Sequence, residues 1–194
     1  AYHLRRAGFK GSVLVAESGQ VVLNKGYGLA NRESGVPNAP NTKFRLGSIT
    51  KQFTAALVLQ LVEQGKLKLD GRIGDYLLEC PKKVGERVTI HQLLNHTSGI
   101  PSYTGFPDFV AKRSRDPLTP LELARLYWEK DLEFDPGSRF AYNNSGYHLL
   151  GVLIEKISGQ PYAKALQERI LTPLGMKDTG YDDFDTILPN RASG

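Results

Sequence analysis

Residues 44–53 read FRLGSITKQF, which places Ser48 three positions before Lys51. Apolar residues continue beyond this stretch at helical spacing, and Gly65 supplies a stop, so the pattern predicts one long helix over Ser48–Gly65. Ser48 is expected at the cap or in the first turn of this helix. The helix is apolar around most of its circumference, which predicts that it is buried.

The spacing of Ser48 and Lys51 suggests a nucleophile with its own base. Residues three apart on a helix lie on one face, so the Lys51 amine is expected beside the Ser48 hydroxyl. A serine hydroxyl is a weak nucleophile unless a neighbour takes its proton, and the Ser48 backbone N–H at the helix start would face a developing oxyanion. Taken alone, a lysine one turn after a capping serine is more often an ordinary feature of a helix start. Both the catalytic and the structural interpretation of this pair therefore stay open.

A second polar cluster is Tyr142-Asn143-Asn144, which follows a Pro-Gly turn and precedes a helix predicted over Gly146–Ile157. A tyrosine near Ser48 would share the proton transfer, and the Asn144 amide offers a donor and an acceptor to a substrate amide. The structural alternative is that Asn144 caps the next helix while Tyr142 packs.

The order of predicted elements indicates an α+β fold. Two apolar runs joined by a Gly-containing turn predict a β-hairpin, and an Asn-, Pro- and Gly-rich stretch predicts a loop. Thr119, Pro120 and Glu122 form a capping-box helix start. The ranges are Gly11–Ala16 and Val21–Leu29 for the hairpin, Asn31–Thr42 for the loop, and Thr89–Asn95, Thr119–Lys130 and Pro161–Leu171 for the further helices.

Composition and residue spacing argue against nucleic-acid binding, metal binding and a membrane span. The net charge of +5 comes from scattered basic residues, which argues against a nucleic-acid-binding surface. Cys80 is the single cysteine and is expected to be a buried structural thiol. His91 and His96 are five apart, on different helix faces, and the aspartates at 178–185 lack calcium-loop spacing and suggest a solvated loop. We therefore predict no metal, no cofactor and no membrane span.

Four stretches of the chain read FRLGSITKQF (44–53), GKLKLD (65–70), LLNHTSGIP (93–101) and PGSRFAYNNSGY (136–147). Together and in this order they resemble the serine β-lactamase-like superfamily, which includes penicillin-binding proteins, class C β-lactamases and related carboxylesterases. The tyrosine of the last stretch, Tyr142, is similar to that of class C β-lactamases, some D,D- and D-aminopeptidases and β-lactamase-like carboxylesterases, whereas class A enzymes carry Ser-Asp-Asn in this motif.

The resemblance implies a β-lactamase/transpeptidase-like fold, with the N-terminal β-hairpin of an antiparallel sheet and a mostly helical region. Residues 1–194 would form an incomplete domain, with hairpin and loop at about 9–46 and the helical region with the active-site helix at 47–194. The family's third motif, Lys-Thr-Gly or His-x-Gly, does not follow Tyr142. Lys177-Asp178-Thr179-Gly180 comes nearest but has an extra residue, so we expect the C-terminal strands to be missing.

The resemblance also implies a function. Ser48 would be the nucleophile, Lys51 would activate it and Tyr142 would share the proton transfer, with Asn144 orienting the substrate and the Ser48 N–H serving the oxyanion. The substrate would be an ester, a β-lactam or a D-amino-acid peptide. The alternative is a binding or assembly module whose open sheet edge pairs with its own missing C-terminal piece or with a second copy. A periplasmic or secreted location is favoured by the resemblance, and the residues leave a cytoplasmic one open.

Overall fold

The computed structural model describes residues 8–109, 111, 116–183 and 185–193. The first seven residues and the last residue of the predicted 1–194 domain therefore lie outside the described part. Small antiparallel sheets and helices give an α+β fold, as predicted. The chain forms two compact units, one comprising the residues up to Gly47 together with those from Met176 onwards, and the other Ser48–Gly175.

The first unit begins with the predicted β-hairpin. Strand β1 spans Gly11–Glu17 and pairs in antiparallel fashion with β2, which spans Gln20–Tyr27. The two linking residues, Ser18 and Gly19, both have positive φ angles, of 49° and 80°. Because primed turns match the twist of the flanking strands, this geometry closes a tight hairpin.

The predicted loop at Asn31–Thr42 is partly strand. β3 spans Leu29–Asn31 and pairs with β4, Val36–Pro37. These strands are too short to leave a periodic apolar pattern, and backbone contacts hold the region instead. The Asn38 side chain donates to the Tyr27 carbonyl at 2.8 Å, and a Cβ atom at Gly26 would lie 2.0 Å from the Asn38 carbonyl oxygen, so only glycine fits there.

The segment from Met176 onwards belongs to the first unit, although the predicted division placed it with the helical region. Lys43 and Arg191 form a parallel β-bridge. The Asp182 carboxylate accepts from Arg45 at 2.5 Å and from Arg191 at 2.7 Å, which holds its pKa below the usual range. The predicted solvated loop is therefore partly ion-paired.

The second unit is helical. In it, the helix over Pro120–Trp128 begins as predicted, because the Thr119 and Glu122 side chains each accept a hydrogen bond from the other's backbone N–H. A π-helix, Gln167–Leu171, follows the last α-helix. The helices are α1 Thr50–Glu63, α2 Lys82–Gly85, α3 Ile90–Leu94, α4 Pro120–Trp128, α5 Asn144–Ser158 and α6 Tyr162–Leu166, with 3₁₀ turns at Gly47–Ile49, Ile73–Asp75 and Tyr103–Gly105.

Helix α1 differs from its prediction in two ways. It begins at Thr50, so Ser48 lies in the preceding 3₁₀ turn and makes no side-chain cap. Its apolar circumference is only partly buried, because Leu57 and Leu61 are in the core whereas Leu59 is exposed. Apolar composition therefore overestimated the burial of this helix.

Helix α5 is the centre of the second unit. It packs against α1, α3, α4 and α6, and its Leu149, Leu150 and Leu153 are fully buried. Burying a leucine side chain stabilises a fold by roughly 1.5–3 kcal/mol, so these contacts fix the position of the helix and of the residues that begin it. Cys80 is buried, as predicted, and desolvation raises the pKa of its thiol to about 12.

Two further sequence predictions concern absences. Within the described residues, no helix combines the length and apolar character that crossing a bilayer requires. The same part of the chain holds no group of three or more His, Cys, Asp or Glu side chains arranged to bind a metal ion.

Candidate active site

Ser48 and Lys51 face each other across one turn at the start of α1. The Lys51 Nζ lies 3.4 Å from the Ser48 Oγ. Ser48 is exposed and Lys51 is half-buried, so the hydroxyl is accessible from solvent. The structure thus places these two groups together as the spacing predicted, on a more open surface than a fully buried helix would give.

Tyr142 reaches the same point from the segment that precedes α5. Its hydroxyl donates to the Ser48 Oγ at 2.6 Å, and the Lys51 Nζ lies 4.8 Å from the centre of its ring. The Lys51 ammonium, and next the hydrogen bond with Ser48, hold the pKa of the Tyr142 hydroxyl below its ordinary value. A phenol with a lowered pKa is more readily ionised, and a phenolate 2.6 Å from a serine hydroxyl can accept its proton.

Asn144 is the first residue of α5, and its side-chain amide bridges two groups. The Oδ1 atom accepts from the Lys51 Nζ at 2.8 Å, and the Nδ2 atom donates to the Thr104 Oγ1 at 2.9 Å. The predicted structural alternative for this residue is wrong, because Asn144 does not cap the helix. Its bond to Lys51 was not predicted from the sequence.

Asn143 makes the cap instead. Its side-chain oxygen accepts from the Gly146 N–H at 2.8 Å, and its side-chain nitrogen donates to the Ile100 carbonyl. The residue is buried. Its two bonds fix the backbone between Tyr142 and Asn144.

Sequence reasoning also missed the contribution of two residues near the site. The His96 ring packs 4.7 Å from the Tyr142 ring, and Thr104 holds the Asn144 amide. The position of His96 at the predicted end of a helix, in the stretch LLNHTSGIP, indicates a residue that organises a loop, but not a contact with Tyr142. The Thr104 contact joins positions 40 residues apart, and no local pattern reports such a contact.

Four groups from two chain segments lie together, as the sequence resemblance implies, namely Ser48, Lys51, Tyr142 and Asn144. Comparison with known proteins decides the family. The family model for Beta-lactamase matches residues 5–194. The chain belongs to the Beta-lactamase family. PbpX of Bacillus subtilis (strain 168) is 32% identical to it over 179 residues, which cover 92% of this chain and 43% of PbpX.

Solved structures agree with the assignment to the Beta-lactamase family. A penicillin-binding protein from Bacillus halodurans superposes with a TM-score of 0.88 at 32% identity, covering 98% of this chain and 58% of that one. The D-amino acid amidase from Ochrobactrum anthropi SV3 superposes with a TM-score of 0.79 at 30% identity, covering 94% and 51%. The β-lactamase/transpeptidase-like fold is thereby confirmed, and the chain spans about half the length of the proteins it matches.

Proposed function

We propose that this chain carries the acyl-enzyme chemistry of a serine hydrolase, with Ser48 as nucleophile toward an ester or amide. The observation that carries the proposal is the contact of Tyr142 Oη with Ser48 Oγ at 2.6 Å, with Lys51 Nζ 3.4 Å from the same oxygen. A hydroxyl held by two groups that can move a proton is the arrangement that nucleophilic catalysis requires.

The distances suggest how Lys51 and Tyr142 divide the proton transfer. Tyr142 is the nearer group and would take the Ser48 proton as a phenolate, while the Lys51 charge stabilises that phenolate. Ser48 Oγ then bonds to the substrate carbonyl carbon, the bond to the leaving group breaks, and the leaving group receives the proton. Water later cleaves the acyl ester and restores the Ser48 hydroxyl.

Asn144 and the Ser48 backbone N–H would hold the substrate. The Asn144 amide already bonds Lys51 and Thr104, which sets its orientation, and each of its polar atoms keeps capacity for a further hydrogen bond. The Ser48 N–H would stabilise the developing oxyanion. One such donor is typically worth about 10²–10³ in rate.

The substrate classes to test are a β-lactam, a D-amino-acid amide and a short ester. The D-amino-acid amide follows from the name of the similar amidase from Ochrobactrum anthropi SV3. The three classes share an electrophilic carbonyl within reach of an exposed serine, and they differ in leaving group. Nitrocefin, D-phenylalanine amide and p-nitrophenyl acetate represent them.

The decisive experiment is covalent labelling. The chain is incubated with a fluorescent penicillin or p-nitrophenyl acetate, and intact mass with peptide mapping locates the acyl group. We expect the label on Ser48, its loss in Ser48→Ala, and its retention in Ser34→Ala, which removes an exposed loop serine. The proposal is wrong if none of the three substrates is turned over and Ser48 stays unlabelled.

A second candidate function is assembly through the β1–β2 sheet. Four of its apolar side chains are between 45% and 62% exposed, namely Leu14, Val15, Val21 and Val22. A two-stranded sheet is marginally stable alone, and its edges favour pairing with another strand. The occupant would be a second copy or a further strand of a longer chain.

Light scattering across a concentration series tests the first of these occupants. We expect the mass to rise with concentration in the wild type and in Leu78→Lys, an exposed leucine of the other unit. Leu14→Lys should stay monomeric. A wild-type chain that is monomeric at every concentration would contradict self-assembly through this sheet.

A further inference from the structure

We propose that His96 is a positioning residue that holds Tyr142 in place by accepting the backbone N–H of the next residue. The proposal rests on the proposed function of Tyr142 and adds to it a residue outside the reacting groups. It concerns the imidazole Nδ1 atom in particular, because that atom makes the contact.

His96 contacts the backbone on both sides of Tyr142. Its Nδ1 accepts from the Asn143 N–H at 3.1 Å, and its carbonyl oxygen accepts from the Ala141 N–H at 2.9 Å. His96 therefore fixes the backbone immediately before and immediately after Tyr142. Asn143 is buried, so an unpaired N–H there would be costly, and the segment would shift to repair it.

The His96 ring also touches the side chain it positions. Its centre lies 4.7 Å from that of Tyr142 and 5.1 Å from that of Tyr147, and the Phe140 ring meets it edge-on at 5.8 Å. Tyr142 itself is 49% exposed, so packing surrounds only part of its side chain. Small movements of the supporting backbone would therefore move the Tyr142 oxygen away from Ser48.

The contact requires a neutral imidazole. Nδ1 can accept a hydrogen bond only when it carries no proton, which assigns the ring proton to Nε2. Burial and the charge of nearby Lys51 both lower the pKa of His96. Burial and the Lys51 charge thus favour the accepting form at neutral pH, and the other titratable groups that face the ring are Tyr142 and Tyr147.

The backbone conformation at His96 suggests a variant that distinguishes the contribution of the hydrogen-bond acceptor from that of the ring. Its φ angle is 62°, a left-handed conformation that asparagine tolerates well. His96→Asn places Oδ1 close to the position of Nδ1, so it keeps the acceptor and the backbone while removing the ring. His96→Phe keeps a ring and removes the acceptor.

Two measurements are made on wild type, H96N and H96F. The first is the rate of Ser48 acylation by p-nitrophenyl acetate, and the second is the titration of Tyr142, followed by NMR of ¹³C-labelled tyrosine and assigned with Tyr142→Phe. We expect H96N to retain both. We expect H96F to lose about 10²-fold in acylation rate, the scale of an ångström-sized misplacement, and its Tyr142 titration to return toward that of an ordinary tyrosine.

Each outcome decides the proposal. Equal losses in H96N and H96F, or no loss in either, would overturn it, because the acceptor would then not matter. If H96F does not fold, His96→Gly, which the left-handed backbone also accommodates, replaces it as the variant without an acceptor: a loss in H96G with retention in H96N supports the proposal, and equal behaviour of the two overturns it. If the wild type is not acylated but the titration pattern holds, the proposed function fails and the role of His96 stands.

Discussion

Acidification should destabilise the helical unit through His148, and the size of the effect follows from its burial. His148 lies on α5, and its Nδ1 is 2.7 Å from the Tyr127 hydroxyl on α4. Desolvation lowers the pKa of His148 from 6.5 to about 4. The folded chain therefore keeps this imidazole neutral in a pH range where the unfolded chain protonates it.

The sign and magnitude of the loss can be worked out. A histidine with a depressed folded-state pKa contributes stability that is present above pH 6.5 and is lost as the pH falls toward 4. At about 1.4 kcal/mol per pH unit, the interval amounts to about 3 kcal/mol. That is a large share of the roughly 5–15 kcal/mol by which domains are stable.

The assay is urea unfolding followed by circular dichroism at pH 7 and pH 4. His148→Asn keeps a polar group near Tyr127 but does not titrate, so it should lose about 3 kcal/mol less than the wild type between the two pH values. His91→Asn, at an exposed position on α3, is the control and should behave as the wild type. Acidic groups that also titrate, such as Asp182, are common to all three chains. An H148N chain with the wild-type pH dependence would refute the reasoning.

Three further predictions concern the site and its support. The rate of p-nitrophenyl acetate hydrolysis should rise with pH through the pKa of Tyr142, which lies below 10.0 because of Lys51. Tyr142→Phe should lose this rise and about 10²–10⁴ in rate, and a Y142F profile that keeps the rise would contradict the role of Tyr142 as proton acceptor. Thr104→Val removes one hydrogen bond from the Asn144 amide and should lower kcat/KM about 5- to 10-fold, whereas Thr104→Ser should retain it; equal rates in both variants would count against this contact. Thr119→Ala breaks the reciprocal cap of α4 and should lower the free energy of unfolding by about 1 kcal/mol in denaturant titrations, and an unchanged midpoint would show that the cap is dispensable.

Local signals in the sequence predicted the secondary structure well where a side chain itself makes the structure. Thr119 and Glu122 cap α4 because their side chains reach only the neighbouring backbone, and Gly159 ends α5 in the left-handed conformation that glycine favours. The start of α1 was placed two residues early, since a 3₁₀ turn at Ser48 leaves the same sequence pattern as a cap.

The candidate site likewise combines residues that the sequence indicates with contacts that it does not. The proximity of Ser48 and Lys51 follows from their spacing along the chain, and the family motifs by themselves indicate Tyr142 and Asn144. The bond from Lys51 to Asn144 joins positions 93 residues apart, and it depends on how α5 packs against α1. Periodicity contains no information about such a contact.

The sequence by itself determined the hairpin, the approximate position of most helices, the family and the residues of the proposed site. Only the tertiary structure decided that Asn143 is the cap, that the segment after Met176 joins the N-terminal unit, and that His96 and Thr104 support Tyr142 and Asn144. The physical reason is the separation of the interacting residues along the chain. Caps and turns are fixed by neighbours within one helical turn, whereas these contacts arise only when distant segments pack together.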